Sequence, residues 1–256
     1  MNLLEKLQLE IIRYTLRANV HLAPRIESMS VHAQGKRLHD SQFLIEINKS
    51  LLDKSKSQLR QDLFVLSELN FKRNGFFVEF GATNGIDFSN SHLLEKEYGW
   101  NGILAEPAKL WHQDLIENRI AIIDTRCVWR DTGSTLMFNE TESPELSTLN
   151  SHIYSDLHAQ ERLKSSQYPV ETVSLIDLLI HHNAPKEIDY LSIDTEGSEF
   201  EILEEFDFKR YQFNIITCEH NYSSSRDKIF RLLIKNGYQR VYQEISQFDD
   251  WYVKIK

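Results

Sequence analysis

Two periods of apolar spacing sort this chain into alternating elements. Short apolar, β-prone runs fall at 76–80, 101–105, 120–129, 188–193 and 213–219, and each reads as a strand buried in an α/β sheet. Between them lie stretches with helical spacing, at 91–98, 108–118, 175–182 and 198–206. A last helix points Ile229, Phe230, Leu232 and Leu233 inward and stops at Gly237. Ser174 stands where it would cap the helix at 175–182, with Asp177 in the first turn. The tail alternates over 238–245 and 251–255, which implies a closing antiparallel hairpin. The expectation is a Rossmann-like α/β fold whose mostly parallel sheet has seven strands, the hairpin included.

The pattern weakens in three places. Over 1–50, Leu3, Leu4, Leu7, Ile11 and Ile12 recur at helical spacing, so residues 1–56 read as a helical extension ahead of a main domain at 57–256. Such a helix caps the sheet, forms a homodimer contact or lies on a membrane surface, and its mixed charges weaken the last use. Residues 51–69 read as a second helix; within it Gln61 and Asp62 precede Leu63, Phe64 and Val65, so they either reach a cofactor or form a solvated face. Residues 131–139 read as a turn and a hairpin-like addition. The polar stretch at 140–167 is long for a compact domain and is where an acceptor pocket or lid is expected.

Composition then narrows the partners. The chain has 256 residues, is 41% hydrophobic and 26% charged, and carries a formal net charge of −9. That balance, with no Lys or Arg cluster, argues against nucleic acid. Cys127 and Cys218 lie in strand-like runs without metal-ligand spacing, so they read as reduced, buried thiols. No stretch approaches the roughly 18 apolar residues of a membrane span, and the start lacks a signal peptide's apolar core; a cytoplasmic protein without a transmembrane segment is expected.

Candidate chemistry gathers where strands end. Phe76, Phe77, Val78 and Phe80 are interrupted by one acid, Glu79, and run into Gly81-Ala82-Thr83-Asn84-Gly85, a loop whose glycines admit positive φ and close approach of a ligand. The spacing is not the G-x-G-x-x-G of a dinucleotide site, and Glu79 would repel a diphosphate. S-adenosylmethionine suits the loop better, because it has no phosphate, bears a sulfonium and an ammonium, and carries a ribose diol. Glu106, ending the strand at 101–105 and followed by Pro107, lies about 20 residues beyond Gly85, where such folds place the acid that takes ribose hydroxyls. A second acid-and-glycine turn, Asp194-Thr195-Glu196-Gly197, follows the strand at 188–193, and Glu219-His220 ends the next.

Three motifs in this order resemble the FkbM-like S-adenosylmethionine-dependent methyltransferases: Val78-Glu-Phe-Gly-Ala-Thr-Asn-Gly85, Gly102-Ile-Leu-Ala-Glu-Pro107 and Ser192-Ile-Asp-Thr-Glu-Gly-Ser-Glu199. The resemblance covers 57–256 and implies a class I methyltransferase fold and an O-methyltransferase acting on a hydroxyl of a sugar, glycan or related natural product. It implies that Glu79, Gly81, Ala82, Asn84 and Gly85 line the methionine and ribose side, and that Glu106, beside Pro107, holds the diol. Asp62 is a further candidate cofactor contact. Asp194, Glu196 and Gly197 would stand near the transferred methyl. Many members carry Lys where this chain has Ser192. Asp194 or His220 is the candidate base; no metal is expected, and if one is needed Asp194, Glu219 and His220 are the candidate ligands. The alternative is a non-catalytic methyltransferase-like scaffold in glycan assembly. An NAD-dependent oxidoreductase is disfavoured by the loop.

Overall fold

The computed structural model describes residues 51–153, 159–243 and 246–255. Among the described residues the element order opens with α1 (Gln61–Glu68), followed by β1 (Phe76–Phe80), α2 (His92–Tyr98), β2 (Asn101–Ala105), α3 (His112–Asn118), β3 (Ile122–Asp124) and β4 (Cys127–Trp129). Then come β5 (Thr135–Thr141), β6 (Thr148–Leu149), β7 (Ser165–Ser174), α4 (Leu175–His181), β8 (Glu187–Ile193), α5 (Glu199–Glu204), β9 (Gln212–Glu219), α6 (Arg226–Lys235), β10 (Tyr238–Val241) and β11 (Asp249–Lys254).

The main sheet is seven-stranded, in the order β10-β11-β9-β8-β1-β2-β3. Its strands pair in parallel from β9 through β8, β1 and β2 to β3, while β11 runs antiparallel to both of its neighbours. This is the class I methyltransferase arrangement expected above. The tail does form an antiparallel pair, but its last strand inserts between β9 and β10 instead of flanking the sheet.

Alternation along the strands divides the core in two. Val78, Phe80, Leu191, Ile193 and Ile216 face one layer, which α4, α5 and α6 cover with Leu178, Leu203 and Leu233. Phe77, Leu104, Tyr190 and Trp251 face the other, packed by Phe64 and Leu66 of α1, Leu94 of α2 and Leu115 of α3. Helices on both faces are why the strands read as continuous apolar runs. The two packed layers set the strands' C-terminal ends along one edge. Gly102 is glycine because a Cβ there would lie 2.4 Å from the Phe77 ring. Ser174 accepts from the Asp177 amide as the cap of α4, and Gly237, at φ 82°, closes the chain behind α6.

Local chemistry changes several elements from their expected form. The stretch at 120–129 is not one strand: Asp124 Oδ1 accepts from the Arg126 backbone at 3.0 Å and from its Nε at 2.9 Å, a tight turn that takes β4 out of the main sheet. β4 joins a second, four-stranded sheet in the order β4-β7-β5-β6. The hairpin-like addition at 134–139 therefore pairs with β7, which extends from Ser165 to Ser174 and meets β5 along its whole length. The polar stretch at 140–167 holds strand and 3-10 structure, including Pro144–Leu146. Residues 57–60 are not helical: Arg60 sits at φ 64° and α1 begins after it. The amphipathic N-terminal helix and the homodimer contact assigned to it fall outside the described residues. Among the described residues no helix is long and apolar enough to cross a membrane.

Candidate active site

The C-terminal ends of β1, β2, β8 and β9 meet beside the second sheet around a cavity of about 610 Å³, well within the range of small-molecule sites. The crossing point lies at β1, from which the chain runs outward to β2 on one side and β8 pairs on the other, the position where open α/β sheets bind ligands.

Gly81 makes the junction close. It has φ 73°, and a Cβ on it would stand 2.0 Å from the Asp194 carbonyl oxygen, so any side chain would drive the β1 loop off the β8 loop. Beyond it the loop is braced by its own polar groups. Asn84 Oδ1 accepts from the Ile86 and Asp87 amides, each at 2.9 Å. Gly85, at φ 80°, rests against Leu115 and Arg119, and Arg119 Nη1 donates to its carbonyl at 3.1 Å.

Glu79 is buried in the cavity wall and surrounded by donors. It accepts from the Asn90 amide at 2.6 Å, from Ser89 Oγ at 3.0 Å and from Ser91 Oγ, with Arg119 Nη1 at 3.8 Å. The carboxylate that opens the motif thus ties the loop to the start of α2. Glu106 is likewise buried and in the wall. Its Oε2 accepts from the Thr83 amide at 2.9 Å and its Oε1 from the Ala108 amide at 2.8 Å. Burial pushes its pKa up to about 7 against those two amides, and Asp194 and Glu140 add to the rise.

Across the cavity Asp194, Glu196 and Glu219 each bring a carboxylate oxygen within 4.8 Å of the others. Burial raises the pKa of Asp194, and it raises that of Glu219 further, with Asp194 beside it as the next cause. A hydrogen bond between the two carboxyls works in opposite directions on them, lowering Asp194 and raising Glu219. Glu196, at φ 58°, is tied differently: Arg162 Nη2 lies 2.5 Å from its Oε2, with the Arg162 side chain fully buried. Thr148 Oγ1 donates to the Glu196 carbonyl at 2.9 Å, and Arg162 Nε donates to the Leu146 carbonyl at 2.9 Å. These bonds fasten the second sheet onto the β8 loop, and Phe138, Pro144, Leu146 and Leu149 become an apolar wall facing the acids.

The Methyltransferase FkbM domain matches residues 79–254, from the acid that opens the glycine loop almost to the end of β11. The chain belongs to the FkbM methyltransferase family. It is a methyltransferase. Among solved structures it is similar in fold to precorrin-6y C5,15-methyltransferase from Geobacter metallireducens, with 11% identity, a TM-score of 0.39, and 75% of this chain and 85% of that chain covered. A Pyrococcus horikoshii protein assigned as an RNA methyltransferase matches at 10% identity and a TM-score of 0.37, covering 96% of this chain and 97% of that one. No curated protein matches it.

In this FkbM methyltransferase the cavity gathers Glu79, Gly81, Glu106, Pro107, Asp194, Glu196 and Glu219 from the residues the sequence singled out. Others stand behind the wall. Asn84 and Gly85 shape the loop, and Ala82 packs in the core beneath it. Asp62 is fully buried and accepts from Ser55 Oγ at 2.7 Å and the Leu63 amide at 2.8 Å; the residue of that region lining the cavity is Gln58, because the chain before Arg60 is not helical. Gln61 donates to Asp249 at 3.0 Å.

His220 is the main displacement. Its Nδ1 accepts from the Tyr222 amide at 3.0 Å, its Nε2 lies 3.7 Å from Asp250, and burial lowers its pKa to about 4. It does not line the cavity, and among the described residues the acids grouped closely enough for a cation are Asp194, Glu196 and Glu219. Sequence reasoning missed Arg119, Arg162 and Asn90. Ser192 accepts from Asn90 Nδ2 at 2.9 Å. Nothing in the local pattern around Arg162 marks it, because its partner is 34 residues away.

Proposed function

We propose that this chain transfers the methyl group of S-adenosylmethionine to a hydroxyl of a sugar, glycan or related natural product. The observation that carries the reading is the wall of the cavity: a glycine loop and a buried carboxylate, Glu106, at adjacent strand ends, and no Lys, Arg or His among the described lining residues. Such a wall suits a donor bearing a sulfonium and an ammonium and opposes the diphosphate of a dinucleotide. When bound, S-adenosylmethionine supplies an electrophilic methyl on sulfur.

The chain's own residues supply position and a proton acceptor. Glu106, oriented by the Thr83 and Ala108 amides, accepts from the ribose hydroxyls. Gly81 lets the donor loop and the Asp194 loop stand in contact, which sets the two reactants in line, and alignment supplies much of the rate in a displacement. Asp194 takes the acceptor's hydroxyl proton: burial has already raised its affinity for one, and Glu219 steadies it through their shared hydrogen bond. Arg162 and Thr148 hold Glu196 and with it the loop that presents Asp194. Arg162 neutralises Glu196, which leaves Asp194 and Glu219 as the acids of the trio that no cation answers among the described residues.

Asp194→Asn tests the assignment. It should lower kcat by about 10²- to 10⁴-fold, the usual contribution of a general base, while calorimetry gives an unchanged affinity for S-adenosylmethionine, and wild-type turnover should survive EDTA. Undiminished kcat in the variant would remove Asp194 from the chemistry. Loss of wild-type activity in EDTA, restored by Mg²⁺, would make the trio a metal site instead.

A further inference from the structure

Resting on the methyl-transfer reading, the charge of the cavity narrows its second substrate. Glu79, Glu106, Glu145, Asp194, Glu196 and Glu219 all line it, and no cationic side chain among the described residues does. Two arginines answer some of these charges from behind the wall: Arg119, with its side chain fully buried, lies against Glu79 and Glu95, and Arg162, equally buried, is bonded to Glu196. Neither lines the space a ligand would enter.

The remaining acids have no such partner among the described residues. Glu106 is bonded by amides, not cations. Asp194 and Glu219 stand with carboxylate oxygens within 4.8 Å of each other and of Glu196, and neither meets a Lys or Arg among the described residues. Glu145 is exposed on the 3-10 turn at Pro144–Leu146 in the opposite wall. A single sulfonium donor offsets about one unit of this excess and leaves the acceptor half facing Asp194, Glu219 and Glu145. That half therefore opposes an incoming anion on both sides, and like charges brought together in a desolvated site select strongly against a ligand.

We infer that the acceptor carries no phosphate or carboxylate: it is an uncharged or amine-bearing polyol. The modification then belongs after the glycosyl-transfer step that releases a nucleoside diphosphate, because the activated sugar would bring its phosphates into this wall.

Binding of three matched probes tests this. First, titration with S-adenosylmethionine alone establishes the donor on the same sample; failure there defeats the methyl-transfer reading itself. The protein loaded with S-adenosylhomocysteine is then titrated at low salt with glucose, glucosamine and glucose 6-phosphate by saturation-transfer NMR. The expected order is glucosamine at least equal to glucose, and both about tenfold or more tighter than the phosphate. Glu145→Lys, on an exposed turn, should narrow that gap. Equal affinities, absence of binding by all three included, or tighter binding of the phosphate would overturn the inference while leaving the donor site intact.

Discussion

The half of this cavity proposed for the donor and the half proposed for the acceptor are built in opposite ways. At the donor half, β1 and β2 run into consecutive loops whose groups satisfy one another within about thirty residues of sequence: Glu79 with Ser89, Asn90 and Ser91, and Glu106 with Thr83 and Ala108. At the acceptor half, the wall comes from a separate sheet that reaches the β8 loop through Arg162 and Thr148. One half is a motif and the other is a tertiary contact. A local motif fixes what binds it, whereas an imported wall can be exchanged, which suits a fold that keeps one donor and varies its acceptor.

The comparison breaks most sharply at Gly81. Gly81→Ala forces an L-residue to φ 73° with its Cβ against the Asp194 carbonyl, and should cost about 1–3 kcal/mol or more from overpacking alone. Urea denaturation should show the loss, and binding of S-adenosylmethionine should vanish even where the variant folds. A tight-binding variant would mean that the two loops need not touch.

Arg162→Met attacks the other half. It leaves Glu196 buried without its cation, a change that typically costs about 3–5 kcal/mol. The expected signature is a lowered denaturation midpoint and a raised KM for acceptor, with donor affinity retained in the folded fraction. Equal weakening of donor and acceptor would show that the halves are not separable.

Protonation sharpens the contrast at the donor side. Glu106, with its pKa pushed up to about 7, accepts hydroxyls best when ionised. The affinity for S-adenosylmethionine should therefore weaken as pH falls through about 7, by severalfold over one unit, and Glu106→Gln should abolish that dependence. The same shift opposes stability at high pH: a carboxyl whose folded pKa lies above its unfolded one binds its proton better when folded, so its contribution is lost as pH rises from the unfolded pKa through about 7.

His220→Ala should have the smallest effect on kcat, less than about twofold under saturating acceptor, read against a modest drop in Tm. The ring lies outside the cavity and is held neutral by burial, so its loss removes packing at the Asp250 cluster rather than a base. A hundredfold fall in kcat would reinstate it.

How legible each half was follows from the same difference. Strand, glycine loop and helix is a local pattern, so β1, Gly81, Glu79 and Glu106 could be read from spacing, and the acids at 194 and 219 from the rule that parallel strands end on one edge. Alternation decided the next residue: Glu219 faces the cavity and His220, one position on, faces away, a distinction that charge and position at a strand end do not reveal. Asp62 failed for another reason: it does sit in the first turn of α1, but on the buried side, where its carboxylate is taken up by Ser55 Oγ and the Leu63 amide. The second sheet was the least legible. Its strands pair across tens of residues, Thr135 with Glu171 and Cys127 with Thr172, and β5 is exposed on alternate positions near its start, so no continuous apolar run announces it. Arg162 carries no pattern at all, because a buried ion pair is defined only by where its partner ends up.

The most direct test of the donor site is a pair of calorimetric titrations, S-adenosylmethionine and NAD, into the wild-type protein and into Glu106→Ala. The wild type should bind S-adenosylmethionine with micromolar affinity, the variant should lose that binding, and neither should bind NAD. Binding of NAD, or S-adenosylmethionine affinity that does not change when Glu106 is removed, would contradict it.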